Sequence, residues 1–227
     1  YFPGAADQLL LGVFYKNIKD PIEYSIVQGI NTSQTIQPVN WGKATNYGFE
    51  AVATKYFGVF GFSVNYTYTQ SEITTAKKYK YRDPITTFAT SKDSMQTRPL
   101  QGQSDHVANI SLLYKNPKNG LDIQVALVYT GKRLINVNPF YNFDYWQSPT
   151  TQLDISFEKR FLKKFSVYGK FTNLTDAPAK SYIKQSYNSY LAAAGRPLSL
   201  QTDPDTKIYV QKNYFRPAVL IGFRYKF

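Results

Sequence analysis

The 227-residue sequence predicts an all-β fold, specifically an antiparallel β-barrel that crosses a membrane. Three observations lead there. Several segments alternate apolar and polar side chains, with the apolar face nearly free of charge. The connections between them alternate between short turns and long polar loops. No apolar run approaches the roughly 18 residues that a spanning helix requires.

Counting from Gln8, about nine spanning segments are expected, at 8–18, 21–28, 43–56, 59–72, 104–115, 120–132, 150–161, 164–174 and 214–227. The first two alternate least well, since Leu9, Leu10 and Leu11 are consecutive and the stretch after Pro21 is irregular. In the fourth, Phe60, Phe62, Val64, Tyr66 and Tyr68 share one face, and Gly61, Ser63, Asn65, Thr67 and Thr69 the other. In the sixth, Leu121, Ile123, Val125, Leu127 and Tyr129 oppose Asp122, Gln124, Ala126, Val128 and Thr130. The seventh sets Leu153, Ile155 and Phe157 against Gln152, Asp154, Ser156, Glu158 and Arg160. The last places Phe215, Pro217, Val219, Ile221, Phe223, Tyr225 and Phe227 opposite Arg216, Ala218, Leu220, Gly222, Arg224 and Lys226. A period of two means strand. Such strands would also suit a soluble sandwich, but repetition with one orientation favours a wall between lipid and lumen.

Turn-forming residues cluster at Lys19-Asp20-Pro21, Phe57-Gly58, Asn116 to Gly120 and Leu162-Lys163-Lys164. Between them fall long polar stretches at 27–43, 72–104, 133–149 and 175–213. Bacterial outer-membrane barrels have this asymmetry, with short turns in the periplasm and long loops outside. Aromatic residues make up 17%, with Tyr 20 and Phe 16, enough for belts at both interfaces. Tyr15, Tyr56, Phe57, Phe161, Tyr225 and Phe227 are expected in the periplasmic belt, and Tyr68, Tyr129, Tyr145 and Trp146 in the outer one.

The formal net charge of +12 is spread over loops, turns and lumen positions, so nucleic acid is not an expected partner. Its densest run, Lys77 to Arg82, is expected in an outer loop, either simply solvated or attracting an anionic ligand or lipopolysaccharide phosphates. Glu50, Asp122, Asp154, Glu158, Arg160, Arg216 and Arg224 are expected to face the lumen, pairing with one another or with a plug. Lys55 and Lys159 fall on the apolar face beside short turns, where they can snorkel to the interface. The sequons at Asn31, Asn65, Asn109 and Asn173 read as chance matches. There is no cysteine and one histidine, His106, so no thiol site, histidine metal cluster or Ser-His-Asp relay is available. No metal, cofactor, catalytic residue or enzymatic activity is expected.

An odd number of antiparallel strands does not close in the usual bacterial manner, so the chain reads as the C-terminal part of a larger barrel; with one of the two weakest segments removed, an eight-stranded free barrel is the alternative. The runs Leu11 to Glu23, Asn46-Tyr47-Gly48-Phe49-Glu50, Asn65-Tyr66-Thr67-Tyr68-Thr69 and Phe171 to Pro178, with the aromatic ending at Phe227, resemble successive strands of TonB-dependent outer-membrane receptors of the Bacteroidetes type. The resemblance implies a barrel of about 22 strands, with a plug domain and the remaining strands contributed from upstream. It implies an outer-membrane location, import of a ferric siderophore, a cobalamin or a glycan, and coupling to the TonB complex through upstream segments. Membrane lipid, lipopolysaccharide and a surface lipoprotein are the other implied partners. The ending resembles a barrel-assembly signal in Gly222, Tyr225 and Phe227, with Leu220 departing from its polar position. A scaffold or adhesin barrel that imports nothing, and a soluble lectin-like sandwich, are the alternative readings.

Ligand contacts are expected from aromatic and arginine side chains of the long loops: Trp41, Tyr79, Tyr81, Arg82, Arg98, Arg133, Phe140, Tyr141, Tyr145, Trp146, Tyr187 and Tyr190. Aromatic rings stack on sugars or aromatic chelators, and arginine grips carboxylate or phosphate in a fork.

Overall fold

Regular alternation from Phe60 and from Leu121 onward builds strands that pair in register, and the computed structural model shows one antiparallel wall. It describes residues 7–28, 34–82, 86, 89–141, 143–162, 164–184 and 207–225. Eight strands cross the wall: β1 (Gln8–Lys19), β4 (Lys43–Phe57), β5 (Phe60–Arg82), β7 (His106–Asn116), β8 (Leu121–Thr130), β11 (Thr150–Leu162), β12 (Phe165–Thr172) and β15 (Ala218–Tyr225), hydrogen-bonded in that order. Among the described residues no ladder joins β1 to β15.

Register makes the two faces continuous. One row runs Lys55, Phe62, Leu112, Val125, Ile155, Phe171 and Val219 across seven strands. The row above runs Leu9, Ala53, Val64, Ile110, Leu127 and Leu153. The opposite face carries Thr54, Ser63, Ser111, Ala126 and Asp154 in one line. Among the described residues no second layer covers the apolar rows: Leu112 is 63% exposed, Val219 62% and Phe223 71%. In water that area, at about 25 cal/mol per Å², would be a large penalty. A sandwich would bury it, so the lectin-like alternative falls and the lipid-facing reading stands.

The expected second segment, 21–28, is not part of the wall. β2 (Ile22–Gln28) pairs with β3 (Gln34–Asn40), and the pairing Ile22 to Asn40 continues the register of Lys19 to Lys43. The four strands form one long hairpin, kinked where Asp20 takes a positive φ of 49° and Pro21 has no N–H to give. Asp20 N–H donates to Gly42 O at 2.6 Å and Trp41 N–H to Pro21 O at 3.0 Å, carrying the ladder across the kink. Lys19-Asp20-Pro21 is therefore a bend at the long-loop end, not a periplasmic reversal. Tyr15, stacked on Tyr47 at 6.5 Å, moves with it to the outer belt.

Two further expectations change above the membrane. The loop expected over 72–104 is largely a hairpin: β5 runs on to Arg82 and pairs there with β6 (Ala89–Arg98). At about 3.3 Å per residue, the 23 residues of β5 are twice the 9–11 that a bilayer needs. Tyr145 and Trp146 leave the outer belt for a small four-stranded sheet of β9 (Arg133–Asn136), β10 (Tyr145–Gln147), β13 (Ala179–Lys184) and β14 (Lys207–Asn213). Tyr56 leaves the periplasmic belt because its alternation points it inward, where its ring lies 2.7 Å from where a Cβ on Gly61 would sit. Phe57 and Phe161 remain exposed at the short-turn end, and Phe227 lies outside the described residues.

The buried core lies in the loop end rather than in the wall. Leu134, Val137, Trp146 and Tyr182 form one cluster and Ala44, Ile73 and Leu100 another, with Trp41 packed against both.

Candidate functional site: the packed outer loop layer

Three loops that are distant in sequence are laced into one layer by main-chain bonds. Ile26 N–H donates to Val137 O at 2.9 Å and Val137 N–H to Tyr24 O at 3.2 Å, a parallel bridge between 131–149 and β2. Three residues on, Lys78 N–H donates to Pro139 O at 2.9 Å and Tyr141 N–H to Lys78 O at 3.0 Å. Segment 137–141 thus threads between β2 and the upper part of β5.

Two buried ion pairs fasten the same loops. The Arg98 guanidinium grips Glu23 in a fork, Nη1 to Oε1 at 3.1 Å and Nη2 to Oε2 at 2.7 Å, with both side chains at most 3% exposed. Glu23 also accepts Gln101 N–H at 2.6 Å, and the Gln101 amide donates to Ile135 O at 2.5 Å. Lys77 Nζ donates to Asp144 Oδ1 at 2.5 Å, and Asn138 N–H donates to the same oxygen at 2.8 Å. Burial pushes the Lys77 amine below its ordinary value, and Asp144 opposes that shift. Burial likewise raises the Tyr182 phenol.

Beside this layer β5 forks. Tyr68 pairs with His106 of β7, but five residues later Ile73 pairs with Arg98 of β6. Residues 99–105 cross the gap, turning at Gly102 with a φ of 80°, where glycine is favoured, and donating from Gly102 N–H to Leu134 O at 2.7 Å. A cavity of about 550 Å³ opens at the fork against Glu72, Arg98, His106, Lys132, Trp146 and Lys184.

The structure distributes the twelve ligand candidates unevenly. Arg98 and Trp146 are buried, at 3% and 8% exposure, and Trp41 lies half-buried with its ring 6.0 Å from the Arg98 guanidinium. These three are brought together, as structural members of the layer. Tyr79 meets Tyr141 edge-on at 5.9 Å and has the Lys92 ammonium 5.7 Å from its ring. Phe140 and Tyr145 are half-buried, and Arg133 Nε donates to Gln147 Oε1 at 2.9 Å. The side chains of Tyr81 and Arg82, and all of Tyr187 and Tyr190, lie outside the described residues. The run Lys77 to Arg82 is strand rather than loop, so alternation splits its charges: Lys77 goes inward, and Lys78 pairs with Asp93 at 2.8 Å outside. Sequence reasoning missed Glu23, Gln101 and Asp144. No local signal marks them, because Arg98, Lys77 and the Ile135 carbonyl, which they meet, lie 75, 67 and 34 positions away.

On the lumen side Arg160 pairs with Asp122 at 3.4 Å and Arg224 with Glu158 at 3.1 Å across strands, while Arg216 pairs with Asp176 at 2.9 Å in the connections between β12 and β15. Near the short turns Lys159 Nζ donates to Asn119 O at 2.5 Å, whereas Lys55 pairs with Asp7 at 2.8 Å rather than only reaching toward the interface. His106 packs on the Tyr66 and Tyr68 rings and shares a 2.7 Å hydrogen bond with the Tyr66 hydroxyl.

Residues 1–174 match the model of the family described as TonB dependent receptor-like, beta-barrel. The chain belongs to the TonB-dependent receptor family. No curated protein matches it. Among solved structures it is similar to a mutant of the ferric enterobactin receptor of Pseudomonas aeruginosa in complex with enterobactin, at 15% identity and a TM-score of 0.53. That likeness covers 97% of this chain and 29% of that receptor's chain, and at such identity it speaks for the fold alone. As a TonB-dependent receptor barrel, the chain lies in the bacterial outer membrane. Its long-loop end, with the packed layer, faces outward.

Proposed function

We propose that this chain forms wall and outer loops of a receptor that imports a scarce nutrient across the outer membrane, driven by the TonB complex. On this reading a plug domain and the remaining strands of a barrel of about 22 are supplied by the rest of the receptor. The observation that supports it most is the combination of a lipid-facing wall with a family match over residues 1–174. A plain pore needs no buried layer of ion-paired loops above it, whereas a receptor gains a fixed frame on which to hang recognition residues.

The cargo class we favour is a ferric siderophore, the kind of ligand named for the solved neighbour; cobalamin and glycan are the other classes to test. The half-buried Tyr79, Arg133, Phe140, Tyr141 and Tyr145 are the contacts we nominate. Aromatic and arginine groups on a rigid frame suit an anionic, aromatic chelate. The test is uptake by a deletion strain carrying the full receptor, supplied with single iron sources, with cobalamin or with glycans. Uptake of one iron chelate that stops when the proton-motive force is collapsed supports the reading. Ligand binding without energy-dependent uptake would instead favour a scaffold or adhesin.

A further inference from the structure

The outer face of the wall changes character in steps above its apolar rows. Up β1, β4 and β5 the rows read Val13, Phe49, Tyr68, then Tyr15, Tyr47, Gln70, then Asn17, Thr45, Glu72. At the top Lys19 stands directly opposite Lys43, both exposed. Like charges placed opposite each other across strands repel. Among the described residues neither lysine has a carboxylate partner within ion-pair distance, and Glu72 accepts only from the Gln70 amide, at 3.4 Å. A cavity of about 720 Å³ opens against Lys19, Lys43, Thr45, Glu72 and Thr74.

The height of this pair points to its occupant. Four residues separate Lys19 from Tyr15, about 13 Å along the strand and about 10 Å along the membrane normal at the usual tilt. A lysine stem can span the rest, so the two ammonium groups meet the headgroup zone just outside the tyrosine belt. The dense basic run at 77–82 does not compete for this role from its inward side, because Lys77 is already paired with Asp144.

We propose that Lys19 and Lys43 clamp a phosphate carried by an outer-leaflet lipid headgroup. The site opens on the lipid side of the wall, continuous with the tyrosine belt, which favours a lipid over a phosphate ion from solution.

The test measures lipopolysaccharide retained by the full receptor in detergent, assayed as phosphate after gel filtration. Lys19→Gln and Lys43→Gln should each weaken retention about fivefold, and together more than either alone. Lys118→Gln, an equal charge change in the turn at the opposite end, should leave it unchanged. Dephosphorylated lipopolysaccharide should bind the unmodified receptor no better than the double variant does. Unaltered retention in the double variant, or an equal loss in Lys118→Gln, overturns the site. Displacement by an equal concentration of inorganic phosphate overturns the lipid as its occupant. Folding of each variant is checked by heat-modifiable gel mobility.

Discussion

Replacing Val125 with arginine tests the lipid-facing wall at its most sensitive point. On β8 the outward side chains run Leu121, Ile123, Val125, Leu127 and Tyr129, a distance of eight residues. That is about 26 Å along the strand and about 20 Å along the normal, which places Val125 about 10 Å from either end of the apolar band. Its cross-strand neighbours are Leu112 and Ile155, neither of which offers a counter-charge. An arginine there should cost about 2 to 4 kcal/mol, falling to about 0 to 1 at Leu121, near the interface. Gln124→Arg, one residue away but facing inward, sacrifices only the 3.0 Å bond from its amide to Ser111 Oγ, about 0.5 to 1.5 kcal/mol. Denaturant unfolding of the full receptor in lipid vesicles, compared at constant slope, measures all three. A cost at 125 no greater than at 121, or equal costs at 124 and 125, would refute the assignment of faces.

Asp144→Ala should strand Lys77 in a dry layer at about 3 to 5 kcal/mol, seen as faster amide exchange in the upper part of β5, and adding Lys77→Met should recover most of it. Gly48→Ala should destabilise by about 1 to 3 kcal/mol, because a Cβ there would sit 1.9 Å from the Tyr68 carbonyl oxygen. Gly12→Ala, with nothing within 4 Å, serves as its neutral control in the same unfolding assay. Burial raises the folded Tyr182 pKa above its unfolded value of 10.0, so its contribution is complete below that pH and is lost as pH climbs through the raised value. The stability of the unmodified receptor relative to Tyr182→Phe should therefore fall above about pH 10, with one phenol titrating late by ultraviolet absorbance.

How much the sequence disclosed depended on what each strand touches. Inside the bilayer, lipid imposes alternation, and β8, β11, β15 and the lower half of β5 could be read directly from it. Above the bilayer that constraint vanishes. The buried face of upper β5 carries Ser71, Ile73, Thr75 and Lys77, polar and apolar mixed, and so read as loop. Pro21 announces a break but not its angle, so in sequence a kink and a reversal look alike. Trp41, Arg98 and Trp146 were picked out by residue type, yet their burial depends on the Glu23 pairing 75 positions away from Arg98 and on the threading of 137–141. Such distant pairings leave no periodic trace. The charge pairs of the lumen were visible as residues on one face, and only the register decided which met which.

On the import reading proposed above, the seam at Val137 and Lys78 decides whether a bulky solute can pass this side of the mouth. Swinging the 131–149 arm aside would unzip its bonds to two neighbouring hairpins at once and pull Asp144 away from the desolvated Lys77. This flank therefore behaves as a fixed jamb, and any door must hang on another part of the rim.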